Sequence, residues 1–153
     1  MIQRIQTIFL LLAAISLGLL FWQPTMSFFL VNPKPTTEMN MLSDGIFDIS
    51  DHIIFLILTG LGAGLCFIGI FLFKNRSLQA NFARFGFIIS ILILILGALF
   101  FYKEWDAINS SVDTHFSGEF GLLSPIVAAL FSFLALRFIR KDENLVKSSD
   151  RLR

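Results

Sequence analysis

Charge is missing from the sequence in the places where a soluble protein would carry it. Charged residues make up 15% of the chain, and the stretches 8–22, 53–73, 85–102 and 120–136 contain none. An ionisable group at the centre of a bilayer costs at least about 2.5–3.5 kcal/mol and usually marks a pathway or a site. Its absence from all four stretches argues against ion-coupled transport. The lone cysteine, Cys66, excludes an intramolecular disulfide, and inside an apolar stretch it reads as a small packing residue. No phosphate-cradling glycine loop and no dinucleotide fingerprint is present. The two histidines, His52 and His115, accompany Asp48, Asp51, Asp113 and Glu119 without the spacing of a zinc motif.

Apolar side chains are what the chain has instead. Of its 153 residues 56% are hydrophobic and 19 are Phe, more apolar surface than a soluble domain of this size can hide. At about 1.5 Å per helical residue, an apolar stretch of about 20 residues crosses a hydrocarbon core of about 30 Å. The expected fold is therefore an all-α integral membrane protein, a single domain over 1–153. Its four transmembrane helices form an antiparallel bundle, with spans at about 5–22, 52–73, 85–102 and 120–138. The start of the chain is read as an uncleaved first helix, because Phe21, Trp22, Gln23 and Pro24 stand where a cleavage site would be.

The connections differ in charge. Lys74 to Arg84 reads as a short basic hairpin between the second and third spans, with Lys74, Arg76 and Arg84 and no acid. The stretch 25–52 sets Lys34 against Glu38, Asp44, Asp48 and Asp51, and 103–119 sets Lys103 against Glu104, Asp106, Asp113 and Glu119. Basic connections stay on the cytoplasmic side. This places the hairpin, Arg4 and the residues from Arg137 to Arg153 inside, with both termini cytoplasmic. Ten of the twelve basic residues then lie within. Trp22, Tyr102 and Trp105 fall at the outer ends of spans, where amphipathic rings favour the headgroups. In the first outer loop, 27–31 and 45–49 have strand-like composition and are expected to form a small β-hairpin. Asp48, Ser50 and Asp51 are expected to complement the start of the second helix near Asp51.

Small residues four apart let helices approach in lipid, and each span has such a pair: Ala14 and Gly18, Gly60 and Gly64, Gly86 and Ser90, Ala128 and Ser132. These are the candidate packing positions. Ser124 and Pro125 complicate the fourth span, and the reading preferred is a helix entering near 118–122 with Pro125 early in it. Residues 139–153 form a cytoplasmic amphipathic tail, with Ile139, Leu145 or Val146, Ser149 and Leu152 near one face and Glu143 spaced to pair with Lys147. Asp142, Glu143 and Asp150 interrupt its positive charge, which favours a protein partner over plain lipid attraction. The candidate docking residues are Arg4, Arg76, Arg84, Arg140, Lys141, Asp142, Glu143, Lys147, Arg151 and Arg153.

The opening Met1 to Thr7, MIQRIQT, and the close Ile139 to Arg153, IRKDENLVKSSDRLR, resemble those of a Bacteroidota family of small four-helix membrane proteins without an assigned function. The resemblance implies a bacterial inner membrane and carries no catalytic residue across. The function expected is that of a non-enzymatic inner-membrane protein, an accessory or structural subunit of a larger envelope complex. Its partners would be the lipid bilayer and other inner-membrane or cytoplasmic proteins, not nucleic acid, and no cofactor or metal is implied. The alternative is a transport or lipid-binding protein with a cavity between the helices. A third reading is an enzyme at the outer face using Asp48, Asp51, His52, His115 or Glu119.

Overall fold

A computed structural model describes residues 3–22, 26–30, 46–47, 49–50, 52–73, 75–110, 114–117, 121 and 123–151. Four helices dominate it: α1 (Gln3–Leu19), α2 (Ile53–Phe71), α3 (Arg76–Ser110) and α4 (Leu123–Arg151). Three of them, α2, α3 and α4, are long and apolar enough to cross a membrane, and α1 is a shorter apolar helix. At its end α1 tightens into bonds three residues apart, from the Leu20, Phe21 and Trp22 amides to the Leu17, Gly18 and Leu19 carbonyls.

Each helix packs against its two chain neighbours, with α4 closing back onto α1. Contacts climb one helix as they descend the next. Gln6 lies against Phe138 and Ser16 against Ser124, while Leu10 meets Gly69 and Leu17 meets Gly62. Neighbours therefore run in opposite senses.

Two boundaries depart from the sequence reading. Most of the basic segment 74–84 is helix rather than a hairpin, since α3 already begins at Arg76. The Asn75 amide donates to the Leu72 carbonyl at 2.9 Å, and the Asn75 Oδ1 accepts from the Leu78 amide at 3.3 Å. A side-chain oxygen at this position satisfies an amide that the first helical turn leaves open. α4 begins at Leu123, not at 118–122, so Pro125 sits in the first turn, where its missing N–H is no loss. The α4 stretch Leu123–Val146 is long and apolar enough to cross a membrane, and the helix runs without a break to Arg151.

The start of α2 differs as well. Its cap is His52, whose Nδ1 accepts from the Ile54 amide at 3.2 Å, and the helix begins at Ile53. The His52 ring also lies 5.2 Å from that of Phe100 on α3. Asp48 and Asp51, expected there, lie outside the described residues.

Among the described residues there are also three short strands. β1 (Met26–Leu30) pairs antiparallel with β2 (Ile46–Phe47) on one side and with β3 (Thr114–Ser117) on the other, in the order β2-β1-β3. The pairings Ser27 with Ile46 and Ser27 with Ser117 fix the register. The residues that would close a hairpin between β1 and β2, 31–45, lie outside the described residues. β3 went unread in the sequence. The sheet ties the connection after α1 to the connection after α3.

Large buried side chains lie towards the two ends of the interior, with alanines among them, and only small buried ones lie between. At the sheet end Leu17, Leu20, Ile49, Phe55, Ile93 and Ala128 cluster; at the other Leu10, Ala80, Ala83, Ala135, Leu136 and Ile139 do. Between them lie Ala13, Ala14 and Cys66. Large apolar side chains such as Ile8, Ile15, Leu61, Ile88 and Leu130 are exposed around the outside. So much apolar surface turned outward is what a bilayer would cover.

Candidate functional site at the basic end

At the waist, glycine permits the closest approach. A Cβ built on Gly86 would stand 2.5 Å from the Cys66 Sγ and 3.4 Å from the Ser132 Oγ, so α2, α3 and α4 meet at a point that tolerates only hydrogen. Cys66 and Ser132 are themselves 3.7 Å apart through Sγ and Oγ. Ser90 donates to the Gly86 carbonyl at 2.8 Å, within its own helix. Thr59 is fully buried, and its hydroxyl has no hydrogen-bond partner.

The expected packing pairs divide. Ala14, Gly86, Ser90, Ala128 and Ser132 are buried between helices. Gly18, Gly60 and Gly64 are not the contact points: a Cβ on Gly18 or Gly64 meets open space, and one on Gly60 meets only the Phe21 ring at 3.9 Å. On α2 the approach is made instead at Gly62, against Leu17 and Ile89, and at Gly69, against Leu10 and Phe82. The two are seven residues apart, two helical turns along one face.

The end formed by the start of α1, the end of α2 and the start of α3 is polar inside. Gln6 is buried and donates from Nε2 to the Phe138 carbonyl at 3.4 Å. Gln79 is buried and donates from Nε2 to the Gly69 carbonyl at 3.1 Å. Each satisfies a helix carbonyl across an interface, and neither was singled out in the sequence. Their signal was there: an amide on an otherwise apolar stripe. Arg76 of α3 reaches Asp142 of α4, Nη1 to Oδ2 3.4 Å, with the Asp142 side chain only 13% exposed. That oxygen has no hydrogen bond, so the pair holds by charge alone.

Of the other expected docking residues, Arg84, Arg140 and Lys141 are exposed and Glu143 is half-buried. The side chains of Arg4, Lys147 and Arg151 are not described, and Arg153 lies outside the described residues, so the Glu143 and Lys147 pairing falls there too. On α4 the buried stripe Ala128, Ser132, Ala135 and Ile139 recurs at spacings of four and three and continues to the half-buried Asp142. The next position on it is Val146, which is exposed. On the opposite face Phe133, Leu136, Arg137, Arg140, Lys141, Asn144, Leu145 and Ser148 line an open concave surface of ≈ 680 Å³.

The outer-face residues offer less. The His52 Nδ1 is engaged in the cap, His115 pairs through its backbone with Phe29, and Asp48, Asp51, Asp113 and Glu119 lie outside the described residues. Among the described residues no three His, Cys, Asp or Glu side chains come together.

Residues 2–152 match the family described as Domain of unknown function (DUF4293). No curated protein and no solved structure matches the chain.

Proposed function

The chain belongs to that family of unknown function, and on this premise we propose that it is a non-enzymatic membrane subunit that docks a protein partner on the cytoplasmic end of α4. The single observation that carries the reading is the α4 stripe. Four buried positions and the half-buried Asp142 lead to Val146, exposed on the same face, where the bundle ends and the helix goes on. An apolar side chain that continues a packing stripe beyond its own helices is placed to pack against another chain.

The orientation belongs to the same proposal. The basic residues Arg4, Arg76, Arg84, Arg137, Arg140 and Lys141 fall at one end of the bundle, while the connections after α1 and α3, acidic in sequence, leave from the other. The basic end is taken as cytoplasmic, with both termini inside. Exposed Trp22 and Tyr102 share the opposite end and suit the outer headgroup level. The resemblance of the two ends of the chain favours the inner membrane of a Bacteroidota bacterium. Packing at the waist supports a scaffold over a conduit, since Gly86, Cys66 and Ser132 fill the space between three helices.

The test is purification of a tagged full chain in mild detergent, followed by mass spectrometry. A companion at fixed stoichiometry is expected, and its loss when Val146 is replaced by Glu. A monodisperse monomer with no companion would overturn the reading.

A further inference from the structure

Phe133 lines two concave surfaces at once. One is the basic groove on the outward face of α4, with Arg137, Arg140 and Lys141. The other is a wholly apolar groove of ≈ 360 Å³ between α3 and α4, bounded by Phe87, Ile91, Ile126 and Leu130 among others. They follow one another along α4: the apolar groove spans 126–133 at the level of the membrane-crossing segment, and the cations begin one turn further on. The described residues lining the basic groove include no acid, and Asp142 faces the other way towards Arg76. An apolar slot leading to three positive charges has the chemistry of one molecule type, a long chain ending in an anion.

We propose that the two grooves form a single binding site for an anionic glycerophospholipid. Its phosphate lies against Arg137, Arg140 and Lys141, and an acyl chain runs over Phe133 into the slot between α3 and α4. Arg137 reaches from the end of the apolar stretch to the headgroup, as long basic side chains do. This inference rests on the membrane reading above but not on the protein partner, since the groove and Val146 occupy different faces of α4. It gives the outward cations a ligand that positive-inside topology alone does not require.

The experiment uses the full chain in mild detergent, with bound lipid counted by native mass spectrometry after addition of phosphatidylglycerol or phosphatidylcholine carrying the same acyl chains. Each basic side chain near an anionic headgroup is worth about a factor of five in binding. Phosphatidylglycerol is therefore expected to be retained at least about tenfold better, and the triple change Arg137→Gln, Arg140→Gln, Lys141→Gln to remove that preference. Exchanging both arginines for lysine keeps it. Ile126→Trp, which fills the slot, lowers retention of the lipid while glycerol phosphate, a headgroup without chains, fails to compete. Equal retention of the two lipids by the parent protein overturns the proposal, as does displacement by glycerol phosphate. Carbonate extraction separates the failures: a chain that leaves the membrane ends the membrane reading as well, whereas one that stays while showing no preference ends this inference alone.

Discussion

Gly86 is the residue on which the middle of the bundle closes. With Cys66 fully buried, its Sγ has little room to withdraw from a Cβ built 2.5 Å away. Gly86→Ala is expected to lower stability by about 1–3 kcal/mol, the usual cost of forcing extra volume into a packed interior. Thermal unfolding in detergent measures it. Cys66→Ala in the same chain is expected to recover most of the loss, because it removes the atom in the way; independent, additive effects would contradict the contact. Gly64→Ala is the control. It has open space and is expected to be neutral or to gain up to about 1 kcal/mol from better helix propensity. Spacing in the sequence identified Gly86 and Ser90, and Ala128 and Ser132, because on those helices the small residues lie on one stripe. On α2 the glycines 60, 62, 64 and 69 occupy more than one face. Only the register of α1 and α3 decides which of them face inward, and register between helices is not written in either sequence alone.

Among the elements, α3 and α4 were legible as spans and illegible as lengths. Apolar periodicity marks the part of a helix that meets lipid or core, and it falls silent where the helix continues into polar surroundings. The nine residues from Arg76 to Arg84 read as a connection because they hold two of the three cations between α2 and the third apolar stretch, the other being Lys74, yet Gln79, Ala80 and Ala83 among them are buried. Asn75, with a side-chain oxygen that caps the next turn, was the local signal. The Arg76 and Asp142 pair holds these two long helices together at the basic end. It is neither exposed, where such a pair is worth about 0–1 kcal/mol, nor fully buried, where breaking one costs about 3–5 kcal/mol. Arg76→Gln is expected to fall between those limits and to lose more than Arg76→Gln with Asp142→Asn together, since the single change leaves a shielded carboxylate without its counter-charge. A double-mutant cycle by thermal unfolding checks this, and a double loss equal to the sum of the two single losses would show that the two side chains do not interact. His52 teaches the converse. In the sequence it stood out for the carboxylates near it, whereas its Nδ1 serves the amide of Ile54.

At the scale of the whole molecule, composition carried furthest. Four uncharged stretches and an excess of phenylalanine predict helices with apolar outsides, and the structure has four helices, three of them long enough to cross. The pairing of the connections after α1 and α3 through β1 and β3 was beyond sequence reasoning, because a strand partner nearly ninety positions away leaves no local trace. The same scale holds the central claim: the bundle is an anchor, and the α4 stripe beyond it receives another protein. A photo-crosslinking amino acid at Val146, activated in native membranes and followed by mass spectrometry, addresses it directly. Adducts to one recurring protein other than this chain are expected, in good yield and on the cytoplasmic side. Adducts to lipid alone, or none at all, would contradict it.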